Sequence, residues 1–528
     1  MGYPPPWVLK AVALVAVLGG LLVVGNSVLQ KPQAFQDNSL AAQTPAGSAE
    51  KASSPNGSVD SSTTESTVPP STLPPTTAAP SFADFSGWVD PQSSGHPWSA
   101  LGGVEGLLTF RGNPTRSFYG TGPVPADPKV IWTFDIGCSN SPVGGENKQW
   151  CGSGWTGQPA IFHPPGDNSA WWLAFGAYNR KVNFLDPETG AAVYPPYATD
   201  DIIKGTITID PDGFPLLYTG SRDNFYHVVA LDRPEPTALW KLTADAVKPT
   251  LWNNDWDGSG LIIDDYLFEG GENSRFFVVK LNRGYDAAGL VTVDPKIVFS
   301  APGWDDELLA AADTDVSIEN SVAISGNTLY FANSGGLVQG WDLSTLTTGA
   351  EPTRVFRFWN GDDTDASIVI DDEGMLYVAS EYERGNSRAQ ELGQIIKLDP
   401  SKPDNPVVWS REANSGLDSG VWATPALAGD LLVVSTDDGR VLGLDRATGA
   451  ERWKLDLPGP LWQSPVVVDD VLIQGDCEGV LHGFDLTVTP PAPIWSVTLG
   501  GCIESTPAVW DGRIYVGSRN GTFYALAD

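Results

Sequence analysis

The stretch VLGLDRATGAERW, residues 441–453, has the pattern of two short strands joined by a tight turn. Apolar residues alternate in its first half, Asp445 and Thr448-Gly449 follow, and Trp453 begins a second run. Alternation with a period of two indicates a half-buried strand, and Asp and Gly are typical turn residues. The question is whether this unit occurs once or is one copy of a repeated part.

Related stretches recur along the chain. The clearest copies begin at Thr424, Ser464 and Thr506, each with a small residue and Pro, an apolar strand, a turn, a second strand, a Gly-bearing turn and a third strand. The equivalent first positions are Pro159, Thr206, Gly260, Ser321, Ser367, Pro425, Pro465 and Pro507. The eight copies are spaced about 40 to 60 residues apart, which is typical of a four-stranded repeat unit.

Four short antiparallel strands cannot bury both faces alone, but such units can when they are stacked radially. The sequence therefore predicts an all-β fold, an eight-bladed β-propeller of four-stranded antiparallel blades over residues 129–528. The last copy stops at Asp528 after three strands. We expect KVIWTFDIG, residues 129–137, to provide the fourth strand, so that an N-terminal strand joins the last blade and closes the ring.

The N-terminal region differs from the repeats. Residues 11–24 are almost entirely apolar and follow Lys10, which is typical of a signal sequence or a signal anchor. Because no convincing cleavage site follows, we expect an N-terminal tail (1–10) and a transmembrane helix (11–30). The region 31–81 is rich in Ser, Thr and Pro and predicts a disordered linker. A single-pass anchor in the cell membrane, followed by a stalk, favours a propeller on the extracytoplasmic side.

The number of cysteines is consistent with a position on the extracytoplasmic side. Cys138, Cys151, Cys477 and Cys502 make an even number, which suits two disulfides under oxidising conditions. Cys138 and Cys151 bracket a Gly- and Asn-rich excursion, which favours a local disulfide. Cys477 and Cys502 fall on one face of neighbouring blades, which favours a disulfide between blades. Sequence alone does not prove the partners, and spacing disfavours the alternative of metal thiolates.

The net charge of −33 and the pI near 4.3 indicate that nucleic acid is not a partner, because the surface repels phosphate. Such a surface suits cations, basic partners or simple solubility. The hydrophobic fraction of 41% allows a large buried core.

The unit GRVLGLDRATGAERW, residues 439–453, resembles the repeat of pyrroloquinoline-quinone (PQQ) type propellers, in which Gly, an Asp, Thr-Gly and a Trp are spaced in the same way. FRGNPTRSFYGTGPVPADPKVIWTFDIG, residues 110–137, is similar to the segment that such proteins carry before their first blade. The resemblance covers about residues 105–528. It implies that residues 82–128 pack on the propeller, and that outer-strand aromatics pack between blades. These aromatics are Trp132, Trp240, Trp409, Trp453, Trp495, Tyr194 and Phe356.

This family includes quinoprotein alcohol dehydrogenases, BamB-like assembly scaffolds of the outer membrane and propellers without an assigned role. The dehydrogenases use a Trp floor, calcium held by Glu and Asn, a catalytic Asp and a disulfide of adjacent cysteines. This chain has neither adjacent cysteines nor a Cys-x-x-Cys-His haem motif. The resemblance therefore favours a non-catalytic protein.

Functional residues of a propeller are expected just before the inner strands. Those residues are Trp155, Lys204, Asp257, Glu319, Asn320, Asp365, Trp422, Trp462 and Glu504. Carboxylates and Trp around one mouth suit a cation, a planar cofactor or a sugar, whereas the alternative is a solvated acidic rim. Candidate calcium ligands are Glu319, Asn320, Asp365 and Asp257, and candidate cofactor-binding residues are Trp155, Trp422 and Trp462. In an enzyme, Asp365 would be the catalytic base.

Three hypotheses follow. The first is a membrane-anchored extracytoplasmic propeller that binds a protein or cell-envelope ligand on one face, without catalysis and without a cofactor. The second is a PQQ- and calcium-dependent quinoprotein oxidoreductase. The third is a glycan-binding or glycan-processing propeller.

Overall fold

The computed structural model describes residues 80–143 and 145–528. The predicted tail, transmembrane helix 11–30 and nearly all of the predicted linker lie outside these residues. Within the described part, no helix is both long and apolar enough to cross a bilayer. The strands there form eight sheets that each contain four antiparallel strands, in chain order in all but the last sheet, which confirms the predicted eight-bladed propeller.

Each blade runs from an inner strand through a second and a third strand to an outer strand. The inner strands of blades 1 to 8 are Ala160–Phe162, Thr208–Ile209, Leu261–Ile263, Ala323–Ser325, Val369–Ile370, Ala426–Ala428, Val466–Val468 and Ala508–Trp510. The second strands are Trp172–Ala177, Leu216–Gly220, Tyr266–Gly271, Thr328–Phe331, Leu376–Ala379, Leu431–Ser435, Val471–Gly475 and Arg513–Gly517. The third strands are Lys181–Leu185, Phe225–Ala230, Arg275–Lys280, Leu337–Asp342, Ile395–Leu398, Arg440–Asp445, Val480–Asp485 and Thr522–Ala527. The outer strands are Ala192–Ala198, Thr237–Thr243, Lys296–Pro302, Thr353–Trp359, Val407–Arg411, Glu451–Asp456, Ala492–Thr498 and Lys129–Asp135.

The outer strand of blade 8 comes from the N-terminal side of the propeller. Lys129–Asp135 pairs antiparallel with Thr522–Ala527, so both ends of residues 129–528 meet in one sheet. The sequence predicted this pairing from the missing fourth strand of the last copy.

The remaining elements are short. In the part of the chain that the structure describes, the α-helices are α1 (Asp306–Ala311) and α2 (Ser387–Leu392), and the 3-10 turns are Pro91–Ser93, Trp98–Leu101 and Leu346–Thr348. The same part contains three two-stranded ribbons, which are Cys138–Val143 with Glu146–Cys151, Gly284–Tyr285 with Val291–Thr292, and Glu381–Tyr382 with Ser419–Gly420.

Antiparallel order divides the loops between two faces. We call the face with the second-to-third turns and the loops between blades the upper face, and the face with the other turns the lower face. Loops between blades precede the inner strands, so the residues predicted as functional lie on the upper face.

A belt of hydroxyl groups explains why Ser or Thr precedes so many inner strands. The backbone N–H of Ser321 donates to Ser367 Oγ at 2.9 Å, that of Ser367 to Thr424 Oγ1 at 3.0 Å, and that of Thr424 to Ser464 Oγ at 3.0 Å. Similar bonds join blades 1 and 2 and blades 3 and 4. The belt therefore satisfies buried backbone donors where neighbouring blades meet.

The segment Gly106–Thr121, here the channel segment, lies against the inner strands. It begins as a strand, Gly106–Leu107, on the inner strand of blade 1, and it ends as Gly120–Thr121, parallel to the inner strand of blade 8. Between these ends, its residues hydrogen-bond to blades 2 to 7 at positions next to or within the inner strands. The segment thereby ties all eight blades to one stretch of chain.

Candidate functional site

A group of buried and partly buried charged side chains lies on the upper face between blades 1 and 4. Lys204 and Asp257 come from the loops before blades 2 and 3, Glu319 from the loop before blade 4, and Glu272 from the second-to-third turn of blade 3. We call these four residues the Lys204 cluster. The Lys204 ammonium forms an ion pair with the Asp257 carboxylate, and its Nζ lies 3.6 Å from Glu272 Oε1.

The three carboxylates of the cluster converge. One oxygen from each of Asp257, Glu272 and Glu319 lies within 4.8 Å of the others. The spacing would permit a common cation, and oxygen is the ligand that calcium prefers. The Lys204 ammonium already provides a positive charge there, and the Ser317 hydroxyl donates to Glu319 Oε1 at 2.7 Å.

Burial controls the protonation of this cluster. Burial and the neighbouring Asp257 carboxylate raise the pKa of Glu272 to about 7. Burial and Glu272 likewise raise the pKa of nearby Asp255 to about 7, although Arg222 pairs with it at 2.5 Å. Burial acts to lower the pKa of Lys204, but the surrounding carboxylates outweigh it and hold that pKa well above its usual value. The lysine is therefore a fixed cation, whereas the carboxyl groups of Glu272 and Asp255 exchange protons near neutral pH.

Asp365 belongs to a second acidic group. It lies with Asp363 and with Glu381, which begins the ribbon strand after the second strand of blade 5. Arg384 faces this group. Burial acts to lower the pKa of Arg384, but the carboxylates of Asp363 and Asp315 outweigh it, so this pKa lies above its usual value. The structure thus separates the three predicted carboxylate ligands of calcium, with Asp257 and Glu319 in the Lys204 cluster and Asp365 in the second acidic group.

Asn320 joins neither group through its carboxamide. Its Nδ2 donates to the carbonyl oxygens of Ala332 at 3.0 Å and Thr364 at 2.8 Å, and its Oδ1 accepts from the Ala332 N–H at 3.2 Å. These bonds fasten blade 4 to the loop before blade 5, and they explain the polar residue at this buried position.

The three predicted cofactor-binding tryptophans are all buried. Trp422 and Trp462 precede blades 6 and 7 and stack with ring centroids 5.0 Å apart. Trp462 Nε1 donates to Asp437 Oδ1. Trp155 precedes blade 1 and is only 3% exposed. Packing between neighbouring loops accounts for the Trp422–Trp462 pair without a bound ring.

Glu504 is part of a further ion pair on the same face. Arg519 donates to its two oxygens at 2.8 and 3.0 Å, and the guanidinium also lies 5.0 Å from the centre of the Tyr178 ring. Burial raises the pKa of Tyr178. The Glu504 carboxylate adds to the rise, and the charges of Arg519 and Lys204 oppose it. This Tyr therefore connects the Glu504–Arg519 pair electrostatically to the Lys204 cluster.

Two buried arginines of the channel segment lie at the ends of the inner strands. Arg116 donates from Nε to the Val322 carbonyl at 2.8 Å and from Nη2 to the Ser259 carbonyl at 2.6 Å. Arg111 donates to the carbonyl oxygens of Pro425 and Pro465. Burial lowers the pKa of Arg116 to about 9 and that of Arg111 to about 10, so both remain cations at neutral pH.

Glu269 lies between Arg116 of the channel segment and Asp257 of the Lys204 cluster, and the charges of both act on it. It is 1% exposed, and among the described residues neither carboxyl oxygen has a hydrogen-bond partner. Burial raises its pKa well above the usual value, Arg116 opposes the rise and Asp257 adds to it. The neutral form of this side chain is therefore favoured in the fold.

Both disulfides that the sequence favoured are present. Cys138–Cys151 joins the two strands of the ribbon before blade 1. Cys477–Cys502 joins the second-to-third turn of blade 7 to the loop before blade 8. Both lie on the upper face, where they fix loops next to the charged groups.

Sequence reasoning missed Glu272, Glu381, Glu269 and the two channel-segment arginines. The first two lie at or just beyond the ends of second strands rather than before inner strands. Their signal was an acidic residue directly after an apolar strand, as in LFEGGENSR and LYVASEYERG. The pattern FRGNPTR contained Arg111 and Arg116 within a segment that was expected only to pack on the propeller.

Comparison with known proteins agrees with this architecture. The family model described as outer membrane protein assembly factor BamB matches residues 391–489. The curated protein of that name from Salmonella typhimurium is 29% identical over 184 residues, which are 34% of this chain and 41% of that protein. The protein of the same name from Shewanella oneidensis is 32% identical over 116 residues, which are 22% of this chain and 28% of that protein. The matches therefore span less than half the length of these curated relatives.

Among solved structures, a europium-containing methanol dehydrogenase is similar with a TM-score of 0.54 and 12% identity, over 80% of this chain and 98% of that chain. At this identity the similarity shows the fold alone. The sequence matches support the predicted resemblance to PQQ-like, BamB-like β-propellers, and the structural match agrees with the propeller fold.

Proposed function

We propose that this protein is a non-catalytic binding scaffold, a propeller tethered to the cell membrane on its extracytoplasmic side. The observation that carries the proposal is the pairing of charges around the loops of the upper face, which we call the upper mouth. Lys204, Arg222, Arg384 and Arg519 each pair with buried carboxylates there, and the channel segment lies against the inner strands beneath. Such paired, preformed charge suits recognition of a macromolecule better than turnover of a small substrate.

Two further observations support the proposal. The relatives that match are named as assembly factors, a description that fits a scaffold with protein partners. Two disulfides suit an oxidising compartment outside the cytoplasm. In this proposal, residues 11–30 anchor the chain by a single pass, residues 31–81 form the linker, and residues 82–128 pack on a ring that the shared blade 8 closes.

The residues of the mouth do not fit PQQ with calcium. The Asn320 carboxamide is committed to backbone groups, and Lys204 lies among the carboxylates that would hold the ion. Asp365, the candidate base, lies in the second acidic group. All four cysteines form disulfides between residues that are not adjacent in the sequence. The similarity to a methanol dehydrogenase extends to the fold alone, so the oxidoreductase remains the weaker hypothesis.

Two measurements test the scaffold proposal. Calorimetric titration of the full chain with PQQ in the presence of calcium is expected to show no heat of binding. Crosslinking of intact cells with a membrane-impermeant reagent is expected to join the propeller to a defined envelope protein. Tight calcium-dependent binding of PQQ, or a propeller that only cytoplasmic reagents reach, would overturn the proposal.

A further inference from the structure

The lower face carries a groove that the upper-face site does not use. One cavity of about 510 Å³ lies between blades 8 and 1, and its walls include Trp171, Trp510 and Arg513. A second cavity of about 380 Å³ lies between blades 1 and 2, and its walls include His163 and Phe214. Glu105, from the segment before blade 1, lines both cavities, so they adjoin across three blades. We call the two together the Trp171 groove.

Aromatic rings form the junction of the two cavities. The Trp171 and Trp510 ring centroids lie 5.4 Å apart at 57°, and the His163 ring lies 3.8 Å from Trp171 on the side of the second cavity. His163 is held by its Nδ1, which lies 2.6 Å from the carbonyl oxygen of Ala170. Both tryptophans are partly exposed, so aromatic surface is accessible along the groove.

The groove is acidic. Glu105 and Glu188 are exposed over 66% and 72% of their side chains, and Asp511 is exposed as well. Arg513 is the basic residue in the wall of the larger cavity, and its Nη2 lies 3.8 Å from Glu188 Oε1. Exposed carboxylates beside Trp rings form a surface that attracts cations through charge and through the ring faces.

We infer that the Trp171 groove binds an extended segment of a protein partner that carries lysine or arginine. A groove across three blades matches a ligand longer than a single residue or a metal ion. The carboxylates select positive charge and repel nucleic acid and anionic lipid, while the Trp and Pro walls accommodate the aliphatic part of the ligand. This inference rests on the proposed scaffold function and assigns the partner's chemistry.

The test uses the full chain and a fluorescent twelve-residue peptide of repeating Pro-Pro-Lys, which is extended before it binds. Fluorescence anisotropy is expected to show binding that weakens as salt increases. The near-isosteric triple variant Glu105→Gln, Glu188→Gln, Asp511→Asn is expected to weaken binding by about tenfold or more. Trp510→Ala is expected to weaken it as well, whereas a peptide of repeating Pro-Pro-Glu is expected not to bind.

Asp404→Asn is the matched control. Asp404 lies in the third-to-outer turn of blade 5, on the same face but away from blades 8, 1 and 2, so this variant is expected to bind like the wild type. Equal binding of the triple variant and the wild type overturns the inference, as does equal affinity for the two peptides or no binding of the lysine peptide. If the triple variant also keeps its envelope crosslinks in cells, the scaffold proposal stands and the groove assignment alone fails.

Discussion

The indole of Trp409, on the outer strand of blade 5, packs on Gly449 in the third-to-outer turn of blade 6. A Cβ atom on Gly449 would lie 2.6 Å from the Trp409 ring, and Trp409 Nε1 donates to the carbonyl oxygen of Arg446 at 3.0 Å. Asp445 holds the same turn by accepting from the N–H and hydroxyl groups of Thr448 at 2.9 Å. The Asp, Thr-Gly and Trp of the repeat therefore form one joint between neighbouring blades.

The joint predicts the effect of a single methyl group. Gly449→Ala places a Cβ in contact with Trp409 at a φ of +72°. We expect a loss of about 2 to 4 kcal/mol in the free energy of unfolding, from left-handed backbone strain and overpacking together. The midpoint of urea unfolding measures this loss.

Gly374→Ala is the control for backbone strain. Gly374 has a similar φ of +77°, but a Cβ there would have no heavy atom within 4 Å. We expect it to cost about 1 kcal/mol. Equal losses in the two variants would show that the contact with Trp409 contributes nothing.

The same joint shows why the fold could be predicted. Strand alternation, turn residues and the Trp all lie within fifteen consecutive residues, so each copy carries its own local signal. The outer strand of blade 3 escaped recognition because Phe299 replaces the Trp and the ribbon at residues 284–292 separates it from the third strand. Tertiary packing compensates, since Phe299 packs on Phe276 and Trp341.

The site could be predicted only in part. The position before an inner strand placed Asp257, Glu319 and Asp365 on one face, and the structure agrees. Which carboxylates converge depends on side-chain direction and on second-to-third turns, and the sequence pattern contains neither. Only the folded structure shows that the Asn320 carboxamide bonds to backbone groups, whereas the Glu272 carboxylate joins Asp257 and Glu319.

Removal of the buried ammonium tests the Lys204 cluster. Lys204→Met keeps an unbranched side chain as far as the Cε position but leaves Asp257 and Glu272 without the Lys204 ammonium. We expect a loss of about 3 to 5 kcal/mol at neutral pH, because uncompensated buried charge is strongly destabilising. Lys129→Met removes an exposed pair with Asp127 and is expected to leave the urea midpoint unchanged. Equal midpoints for Lys204→Met and the wild type would contradict the ion-pair assignment.

The raised pKa values of Glu272 and Asp255 predict a dependence of stability on pH. Their folded-state pKa values of about 7 lie above those of an unfolded chain, so the folded protein holds protons that the unfolded chain has released. The stability that these protons provide is complete below about pH 4 and is lost as the pH rises to about 7. Glu272→Gln is expected to remove on the order of 2 kcal/mol of that decline. Thermal unfolding at pH 5 and pH 8 measures it, and identical pH profiles for the variant and the wild type would contradict the assignment.

Substitution of Arg116 tests how strongly the stability of the blades depends on the channel segment. Its guanidinium donates to the Phe110 carbonyl at 2.9 Å as well as to Ser259 and Val322, so Arg116→Met leaves buried carbonyl groups in blades 3 and 4 unpaired. We expect a loss of about 3 kcal/mol or more in the free energy of unfolding. Arg116→Lys is expected to recover little, because an ammonium cannot reproduce the planar fork that reaches three carbonyls. Arg354→Met, at a partly exposed ion pair with Asp305, is expected to change stability by less than about 1 kcal/mol. If Arg116→Met unfolded at the same urea concentration as Arg354→Met, the channel segment would contribute packing but no polar anchoring to the inner strands.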